Sequence, residues 1–145
     1  MAKKPLPTPG QLRQLLRYEA ETGKLFWRER GIEWFADGGH TAAHNCAAWN
    51  KKYAGTEALA AISTNGYRYG RVFRMRVAAH RAIWAMAHGE WPAGDLDHIN
   101  CVKTDNRLEN LRVVSHEENM RNVPRRRDNV SGITGVHWQS RRGKW

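Results

Sequence analysis

The most informative segment of the sequence spans residues 97–123 and reads DHINCVKTDNRLENLRVVSHEENMRNV. Short apolar runs flank a loop rich in Asn and Asp, which predicts a strand at 96–99 and a second strand at 111–114. Ser115 and Glu118 have the spacing of a helix-opening capping box, so a helix is predicted from there to about residue 123. The segment is therefore predicted to form a ββα unit.

The polar residues of this unit have the chemistry of a hydrolytic metal site. Carboxylate and amide oxygens, which Asp97 and Asn119 supply, are the ligands that Mg²⁺ or Mn²⁺ prefers. A neutral imidazole such as that of His98 suits a general base near neutral pH. His116, at the start of the helix, is an alternative ligand. Strand alternation would point Asp97 and His98 to opposite faces, so a shared site requires an irregular strand that ends at His98.

The N-terminal region is predicted to combine one short helix with a strand. Thr8 is read as the N-cap, Pro9 as the first helical residue and Gln11 as the partner that closes a capping box. The helix is expected to end at Thr22-Gly23. Residues 24–28, KLFWR, have the composition of a strand.

Residues 31–55 have no clear period and are predicted to be a loop. His40, His44 and Cys46 lie in this segment, but their spacing matches no strong metal-binding template. A metal site here is the less favoured interpretation.

Residues 56–78 are predicted to form strands around a turn at Asn65-Gly66, which is a strong hairpin dipeptide. A helix is predicted at 77–88, and Gly89 follows it at the position where a left-handed residue often ends a helix. The predicted fold class is therefore α+β: a small N-terminal helix and antiparallel strands, followed by the ββα unit.

Four segments are predicted along the chain. Residues 1–76 form an N-terminal helix and β region, and residues 77–123 form the ββα unit with its preceding helix. Residues 124–130 form a basic linker. Residues 131–145 form part of a β-ribbon.

Charge indicates a polyanionic partner. The net charge is +10, and residues 121–145 hold seven basic residues and one acidic residue. Nucleic acid is the usual partner of such a skew, although a solvated basic tail is the alternative. The two cysteines, Cys46 and Cys101, indicate reduced thiols in a cytoplasm. The sequence has no apolar run near 18 residues, so a membrane span is not expected.

A set of short motifs resembles the HNH endonucleases, and more closely the free-standing homing-type enzymes of phage genomes. In that branch an Asn often replaces the final His, as Asn119 does here. Residues 131–145 resemble the opening strands of the ethylene-response-factor type of DNA-binding domain. The motifs are His80-Arg81-x-x-Trp84, Gly89-Glu90-Trp91-Pro92, Asp97-His98-Ile99-Asn100, Asp105-Asn106-Arg107-Leu108-x-Asn110-Leu111-Arg112 and Asn119.

The resemblance implies a metal-dependent endonuclease that nicks or cuts double-stranded DNA, leaving 5′-phosphate and 3′-hydroxyl ends. His98 would be the general base, and Asp97 and Asn119 would bind a single Mg²⁺ or Mn²⁺. Asn110 would hold the loop that orients the His98 ring. His80 and His116 are secondary candidates. A phage-encoded enzyme of this kind would act in the cytoplasm of a bacterial host.

Basic residues around the unit are predicted to contact DNA phosphates without reading bases. The alternative function is a non-catalytic nucleic-acid-binding protein that keeps the ββα unit as a scaffold. The predicted contacts are Arg107, Arg112, Arg121, Arg125, Arg126, Arg127, Arg141 and Arg142.

Overall fold

The structure, a computed structural model, describes residues 5–121 and has the predicted α+β class. The described helices are α1 Pro9–Leu15, α2 Ala42–Tyr53, α3 Ala79–His88 and α4 His116–Arg121. The described strands are β1 Leu16–Glu19, β2 Lys24–Trp27, β3 Glu57–Ala58, β4 Ala61–Ile62, β5 Arg68–Val72, β6 Met75–Ala78, β7 Asp95–His98 and β8 Leu111–Val114. Single 3₁₀ turns occur at Ile32–Trp34 and Leu108–Asn110. The predicted linker and β-ribbon lie outside the described residues.

The strands form three small antiparallel sheets. Their orders are β1-β2-β3, β4-β5-β6 and β7-β8. Every pairing is antiparallel, and β1 with β2, β5 with β6 and β7 with β8 are paired along four consecutive residues.

The start of α1 follows the prediction, but its end does not. The Thr8 hydroxyl accepts a hydrogen bond from the Gln11 amide at 3.1 Å, and the Gln11 side chain accepts from the Thr8 amide at 2.9 Å. The helix ends at Leu15, and Leu16 begins a strand that pairs with Trp27. The prediction that the helix runs to Thr22-Gly23 is wrong because pairing with β2 overrides the helical spacing of the leucines.

The prediction of a loop over residues 31–55 is also wrong. Helix α2 occupies Ala42–Tyr53, with the Thr41 hydroxyl accepting from the His44 amide at its start. None of its residues is buried, so it lacks the apolar stripe that would reveal a helix in the sequence. Asn50 anchors it by hydrogen bonds of 2.9 Å to both backbone polar groups of Arg30.

The predicted turn at Asn65-Gly66 is confirmed. It joins β4 to β5, and Gly66 has the left-handed φ of 85°. Gly70 is needed for another reason, since a Cβ there would lie 2.8 Å from the Cα of Leu59. The second turn, at Phe73 and Arg74, joins β5 to β6. It was not predicted, because it lacks the Gly or Asn that usually indicates such a turn.

The core lies between α1, α3 and the inner faces of the sheets. Leu12, Leu15, Ile83 and Leu111 belong to one continuous cluster, so the core includes residues from the N-terminal region and from the ββα unit. Helix α3 begins at Ala79 and not at the predicted residue 77, because Val77 and Ala78 pair with β5, and it ends as predicted, with Gly89 at φ 78°. Within residues 5–121, no helix has both the length and the apolar character that crossing a membrane requires.

Candidate functional site

The ββα unit is present between Asp95 and Arg121, and the strand predictions are accurate to within a residue. Strand β8 occupies the predicted residues 111–114, and β7 occupies Asp95–His98. The Ser115 hydroxyl accepts from the Glu118 amide at 3.2 Å while the Glu118 carboxylate accepts from the Ser115 amide at 3.0 Å. This capping box confirms the predicted start of α4. The predicted extension of the helix to residue 123 lies outside the described residues.

Strand β7 is regular along its whole length. Its four residues pair in unbroken register with β8, from Asp95 opposite Val114 to His98 opposite Leu111. The strand does end at His98, as predicted, but the predicted irregularity within it is wrong. Leu96 and His98 consequently face the interior, whereas Asp95 and Asp97 lie on the opposite face. The unit therefore has two chemically distinct faces.

His98 is buried on the inner face, with 3% of its surface exposed. Its Nε2 lies 2.8 Å from Oδ1 of Asn106. Because an amide oxygen only accepts, Nε2 donates in this hydrogen bond, which in the neutral tautomer leaves the lone pair on Nδ1. Within residues 5–121, Nδ1 of His80 is buried without a hydrogen-bond partner. Nδ1 of His98 is not in that situation. The ring is thus oriented with its basic nitrogen away from the Asn106 anchor.

Asn106 was predicted as part of a turn and of a family motif, but its contact with His98 was not predicted. It is fully buried, and its Nδ2 is enclosed without a partner among residues 5–121. The turn between β1 and β2 packs directly on it: a Cβ at Gly23 would lie 2.6 Å from the Arg107 nitrogen and 2.7 Å from the Asn106 carbonyl carbon. The N-terminal hairpin therefore supports the residue that holds His98.

Asn110 closes the loop that follows His98. Its Nδ2 donates to Oδ1 of Asn100 at 2.9 Å and to the Asp105 carbonyl at 2.8 Å, and its Oδ1 accepts from the Asn100 amide at 2.9 Å. Its backbone carbonyl also accepts from the Ile99 amide. These contacts fix both ends of the loop between His98 and Asn106.

A second ionic contact stiffens the same loop. Asp105 accepts from Nε and Nη2 of Arg107 at 2.8 and 2.7 Å, and Arg107 also contacts Glu109 at 2.9 Å. The Arg107 guanidinium is the main cause of a pKa for Asp105 well below its usual range. The Tyr18 hydroxyl accepts from the Leu108 amide at 3.0 Å. Arg107, predicted as a phosphate contact, is thus already engaged by two carboxylates.

Two aromatic rings enclose His98 from the side of α3. The ring centroid of His80 lies 5.3 Å from that of His98, and Tyr67 lies 5.1 Å from His80 and 5.8 Å from His98. Burial, followed by the charges of His98 and Arg81, lowers the pKa of His80 to about 4. Burial, then Asp97 and Asp95, raise the pKa of the Tyr67 hydroxyl. His80 is therefore a neutral neighbour of His98 at physiological pH.

The outer face of the unit brings together Asp95, His116 and Asn119. Oδ2 of Asp95 lies 3.1 Å from Nδ1 of His116 and 3.2 Å from Nδ2 of Asn119. The hydrogen bond with His116, followed by that with Asn119, lowers the pKa of Asp95. Asn119 and the alternative candidate His116 thus meet at the carboxylate of Asp95, which was not among the predicted ligands. The signal was present, because Asp95 lies two residues before Asp97 and shares its strand face.

Asp97 lies next to Asp95 on this face and contacts Arg112. Its Oδ2 accepts from Nε at 3.0 Å and from Nη2 at 2.8 Å. The two residues are directly opposite each other in the β7–β8 register. Arg112, also predicted as a phosphate contact, is therefore an intramolecular partner of a predicted metal ligand.

The donors of the outer face suit a hard divalent cation. Two strand carboxylates, Asp95 and Asp97, share the face with the Asn119 amide, and carboxylate and amide oxygens are typical Mg²⁺ and Mn²⁺ ligands. Within residues 5–121, no group of three or more His, Cys, Asp and Glu side chains is arranged to hold a metal ion. A divalent cation site on this face therefore requires the amide oxygen of Asn119 as a ligand beside the carboxylates.

The remaining predicted DNA contacts are distributed differently. Arg121 is exposed on α4. His40 and His44, which were a weak metal candidate, have ring centroids 4.5 Å apart and sit at the exposed start of α2. Arg125, Arg126, Arg127, Arg141 and Arg142 lie outside the described residues.

Comparison with known proteins supports the resemblance in one part of the chain. Residues 77–121 match a family described as HNH endonuclease. The chain is also 34% identical over 67 residues to Protein 3.8 of Escherichia phage T7, covering 46% of this chain and 55% of that protein. The chain thus spans about half the length of the curated relative that it matches. No solved structure matches the chain. The family match ends at residue 121, so it does not extend to the tail that resembles the ethylene-response-factor domain.

Proposed function

We propose that this chain is a metal-dependent endonuclease of the HNH class that hydrolyses phosphodiester bonds in double-stranded DNA. The main observation in support of this proposal is the orientation of His98. Nε2 of the ring is anchored to Asn106 at 2.8 Å, so the neutral tautomer has its lone pair on Nδ1, within the 45 residues that match the HNH endonuclease family. A fixed imidazole with a free basic nitrogen is what activation of water requires.

In this proposal, Nδ1 of His98 removes a proton from the attacking water. The water oxygen forms a bond to phosphorus while the bond from phosphorus to the 3′ oxygen breaks. The 3′ oxygen takes a proton from solvent and leaves as a hydroxyl, and the phosphate stays on the 5′ side. Asn106 and Asn110 hold the ring and its loop, which keeps the base in one orientation during the reaction.

The outer face supplies the proposed cation site. Asp97 and Asn119 would hold the ion, with Asp95 as a further carboxylate that contacts Asn119. A bound divalent ion supplies positive charge that stabilises the phosphate and the leaving oxygen. For Asp97 to bind the ion, Arg112 has to give up at least part of its contact with this carboxylate.

We also propose the type of HNH endonuclease to which the chain belongs. The motif pattern with Asn119 in place of a final His and the likeness to a phage protein favour a free-standing, homing-type phage nuclease acting in the cytoplasm of a bacterial host. The net charge of +10 favours a polyanionic substrate.

Three observations favour the alternative of a binding protein without catalysis. His98 is 3% exposed, and Asp97 is engaged by Arg112. The regular strand β7 also directs Asp97 and His98 to opposite faces, so the base and the cation can act on one phosphate only at the end of the strand. A scaffold of this kind would bind DNA with a steep salt dependence and cleave none of it with any divalent ion.

The test is conversion of supercoiled plasmid to nicked or linear DNA, with Mg²⁺, with Mn²⁺ and with EDTA. The proposal expects cleavage only with a divalent ion, and expects ends that carry a 5′-phosphate and a 3′-hydroxyl. Asp97→Asn, prepared in the same way, separates the activity of the chain from that of a contaminant. Binding without cleavage under every metal condition would favour the scaffold instead.

A further inference from the structure

The outward face of the β5–β6 hairpin carries arginines in direct opposition. Arg71 pairs with Arg76 across the two strands, and Tyr69 lies two residues before Arg71 on the same face. Val72 and Val77 occupy the other face and are buried in the core. Both arginines are exposed, so the hairpin directs its cationic side to solvent.

These arginines lack the acidic partners that would balance them. Like charges directly opposite each other destabilise an antiparallel pair. None of the ion pairs within residues 5–121 involves Arg71, Arg74 or Arg76, whereas Arg68 contacts Glu57. Arg76 lies instead over the Tyr69 ring, 3.9 Å from its centroid. An external anion would relieve the repulsion between the two strands.

The tip of the hairpin has a strained shape. Phe73 and Arg74 form its two-residue turn with φ values of 50° and 65°, a conformation that favours Gly or Asn over bulky residues. Phe73 is 41% exposed and stacks on Trp34, with ring centroids 5.7 Å apart. The turn therefore holds a third arginine and an aromatic ring at the end of the ribbon, at a cost in backbone energy.

The same hairpin is continuous with the candidate site. Strand β6 runs into α3, which begins with Ala79 and His80. A cleft of roughly 340 Å³ is lined by Tyr69 and Arg76 from the hairpin and by Tyr67 and His80, which both contact His98. A strand of DNA that reaches His98 from this side would pass over Arg76, the arginine of the hairpin that lines the cleft.

We propose that the outward face of the β5–β6 hairpin, defined by Tyr69, Arg71, Arg74 and Arg76, binds the phosphate backbone of duplex DNA beside the cleaved bond. The inference rests on the proposed function for its placement relative to cleavage. A two-stranded ribbon has the width that the major groove accepts, and arginines on its face reach the flanking phosphates. The hairpin thus takes the positioning role that the sequence had assigned to Arg107 and Arg112.

The experiment compares two triple variants of the full chain that remove the same charge. The first is Arg71→Gln, Arg74→Gln and Arg76→Gln. The matched control is Arg17→Gln, Lys51→Gln and Lys52→Gln, at exposed positions on β1 and α2. Binding to a duplex of two helical turns is measured by fluorescence anisotropy against salt concentration, in EDTA so that no cleavage occurs.

The hairpin triple variant should bind at least about tenfold more weakly near 0.1 M salt and should lower the salt slope by about 2 to 3, as loss of three phosphate contacts requires. The control should change the slope by less than about 1. Equal losses in the two variants, or no loss in the hairpin variant, would overturn the proposal. Because binding is measured without metal, absence of cleavage by the wild type would count against the proposed function and leave this result intact.

Single Arg71→Gln guards against a folding artefact. Removing one of two opposed arginines should leave the melting temperature equal to that of the wild type or higher, while binding still weakens. A lower melting temperature with unchanged binding would mean that Arg71 serves the fold and would contradict the proposal.

Discussion

Nε2 of His98 and Oδ1 of Asn106 lie 2.8 Å apart in a buried contact, and this pair links three separate parts of the chain. His98 ends β7, Asn106 belongs to the loop before β8, and the turn at Gly23 packs on the backbone of Asn106. The orientation of the imidazole is therefore a property of the whole fold. Short-range sequence motifs around His98 do not determine it alone.

Asn106→Ala should reduce cleavage more than binding. The substitution removes the acceptor that fixes the His98 ring, and loss of such an orienting partner reduces activity by about 10- to 100-fold. Leaving a buried donor unpaired should also lower the free energy of unfolding by about 1–3 kcal/mol. Single-turnover cleavage at saturating DNA, together with anisotropy, measures the two effects separately.

Asn106→Asp distinguishes orientation from packing. It keeps an acceptor for Nε2 and should retain most of the cleavage, but its negative charge favours the protonated imidazole. The acidic limb of the pH–rate profile should therefore move to higher pH. If the Asp and Ala variants lose cleavage equally with no change in profile, Asn106 has only a packing role.

Gly23→Ala and Gly55→Ala separate backbone strain from contact with the site. Both glycines have a left-handed φ, of 69° and 79°, and an alanine there costs about 1–2 kcal/mol in either case. A Cβ at Gly55 meets nothing within 4 Å, whereas one at Gly23 reaches the backbone of Asn106 and Arg107. We expect Gly55→Ala to lower the melting temperature with normal cleavage. Gly23→Ala should lose more stability and most of the cleavage.

Equal cleavage by the two glycine variants, at a temperature where both are folded, would show that the β1–β2 turn does not support His98. Circular dichroism before each assay provides the folding control.

His80 makes stability depend on pH. Its pKa is about 4 in the folded protein, and an unfolded His titrates near 6.5. Between these values the unfolded chain binds more protons, so the free energy of unfolding should fall as the pH drops from about 6.5 to 4. The contribution is fully present above about pH 6.5, and the loss reaches about 3 kcal/mol at most.

Urea unfolding of wild type and His80→Gln across this pH range measures the contribution of His80. The difference in unfolding free energy between the two proteins should change through the window and become constant above about pH 7. A parallel pH dependence in both proteins would mean that His80 is not the neutral, buried group that its surroundings indicate.

Arg112 should weaken cation binding because it already occupies Asp97. Removing a unit positive charge about 4 Å from a divalent ion in a solvated site is worth about 2 kcal/mol, or roughly 30-fold in affinity. Arg112→Gln should therefore bind Mn²⁺ more tightly than the wild type, and Asp97→Asn should bind it more weakly. Titration calorimetry without DNA measures both, with Arg17→Gln as a charge control distant in sequence.

If Arg112→Gln weakened Mn²⁺ binding as much as Asp97→Asn does, Arg112 would be holding Asp97 in its ligating position. That result would contradict competition between the guanidinium and the cation.

The parts of the fold that the sequence predicted are those fixed by local chemistry. The capping boxes at Thr8 and Ser115, the left-handed Gly89 and the pairing of 111–114 with the strand at His98 depend on neighbouring residues. The wrong predictions concern segments whose conformation depends on residues distant in sequence. Leu16 has helical spacing after Leu12, but pairing with Trp27 makes it a strand residue.

In the candidate site, too, features set by neighbouring residues were easier to predict than contacts between distant residues. Alternation with period two, a property of the strand itself, places Asp97 and His98 on different faces, and the prediction of an irregular strand that would unite them is wrong. The contact between Asn106 and His98 depends on a loop path that no local pattern encodes. Helix α2 was missed because it buries none of its residues, so its sequence has no period to detect.

Single-turnover cleavage of supercoiled plasmid by wild type and by His98→Ala, at saturating DNA and Mg²⁺, tests the role of His98 most directly. Removal of a general base should reduce the rate by about 10²- to 10⁴-fold. Duplex affinity in EDTA should stay within about twofold of the wild type, since His98 is buried and makes no phosphate contact in this proposal. Cleavage by His98→Ala at the wild-type rate, with wild-type affinity, would contradict the assignment of His98 as the base.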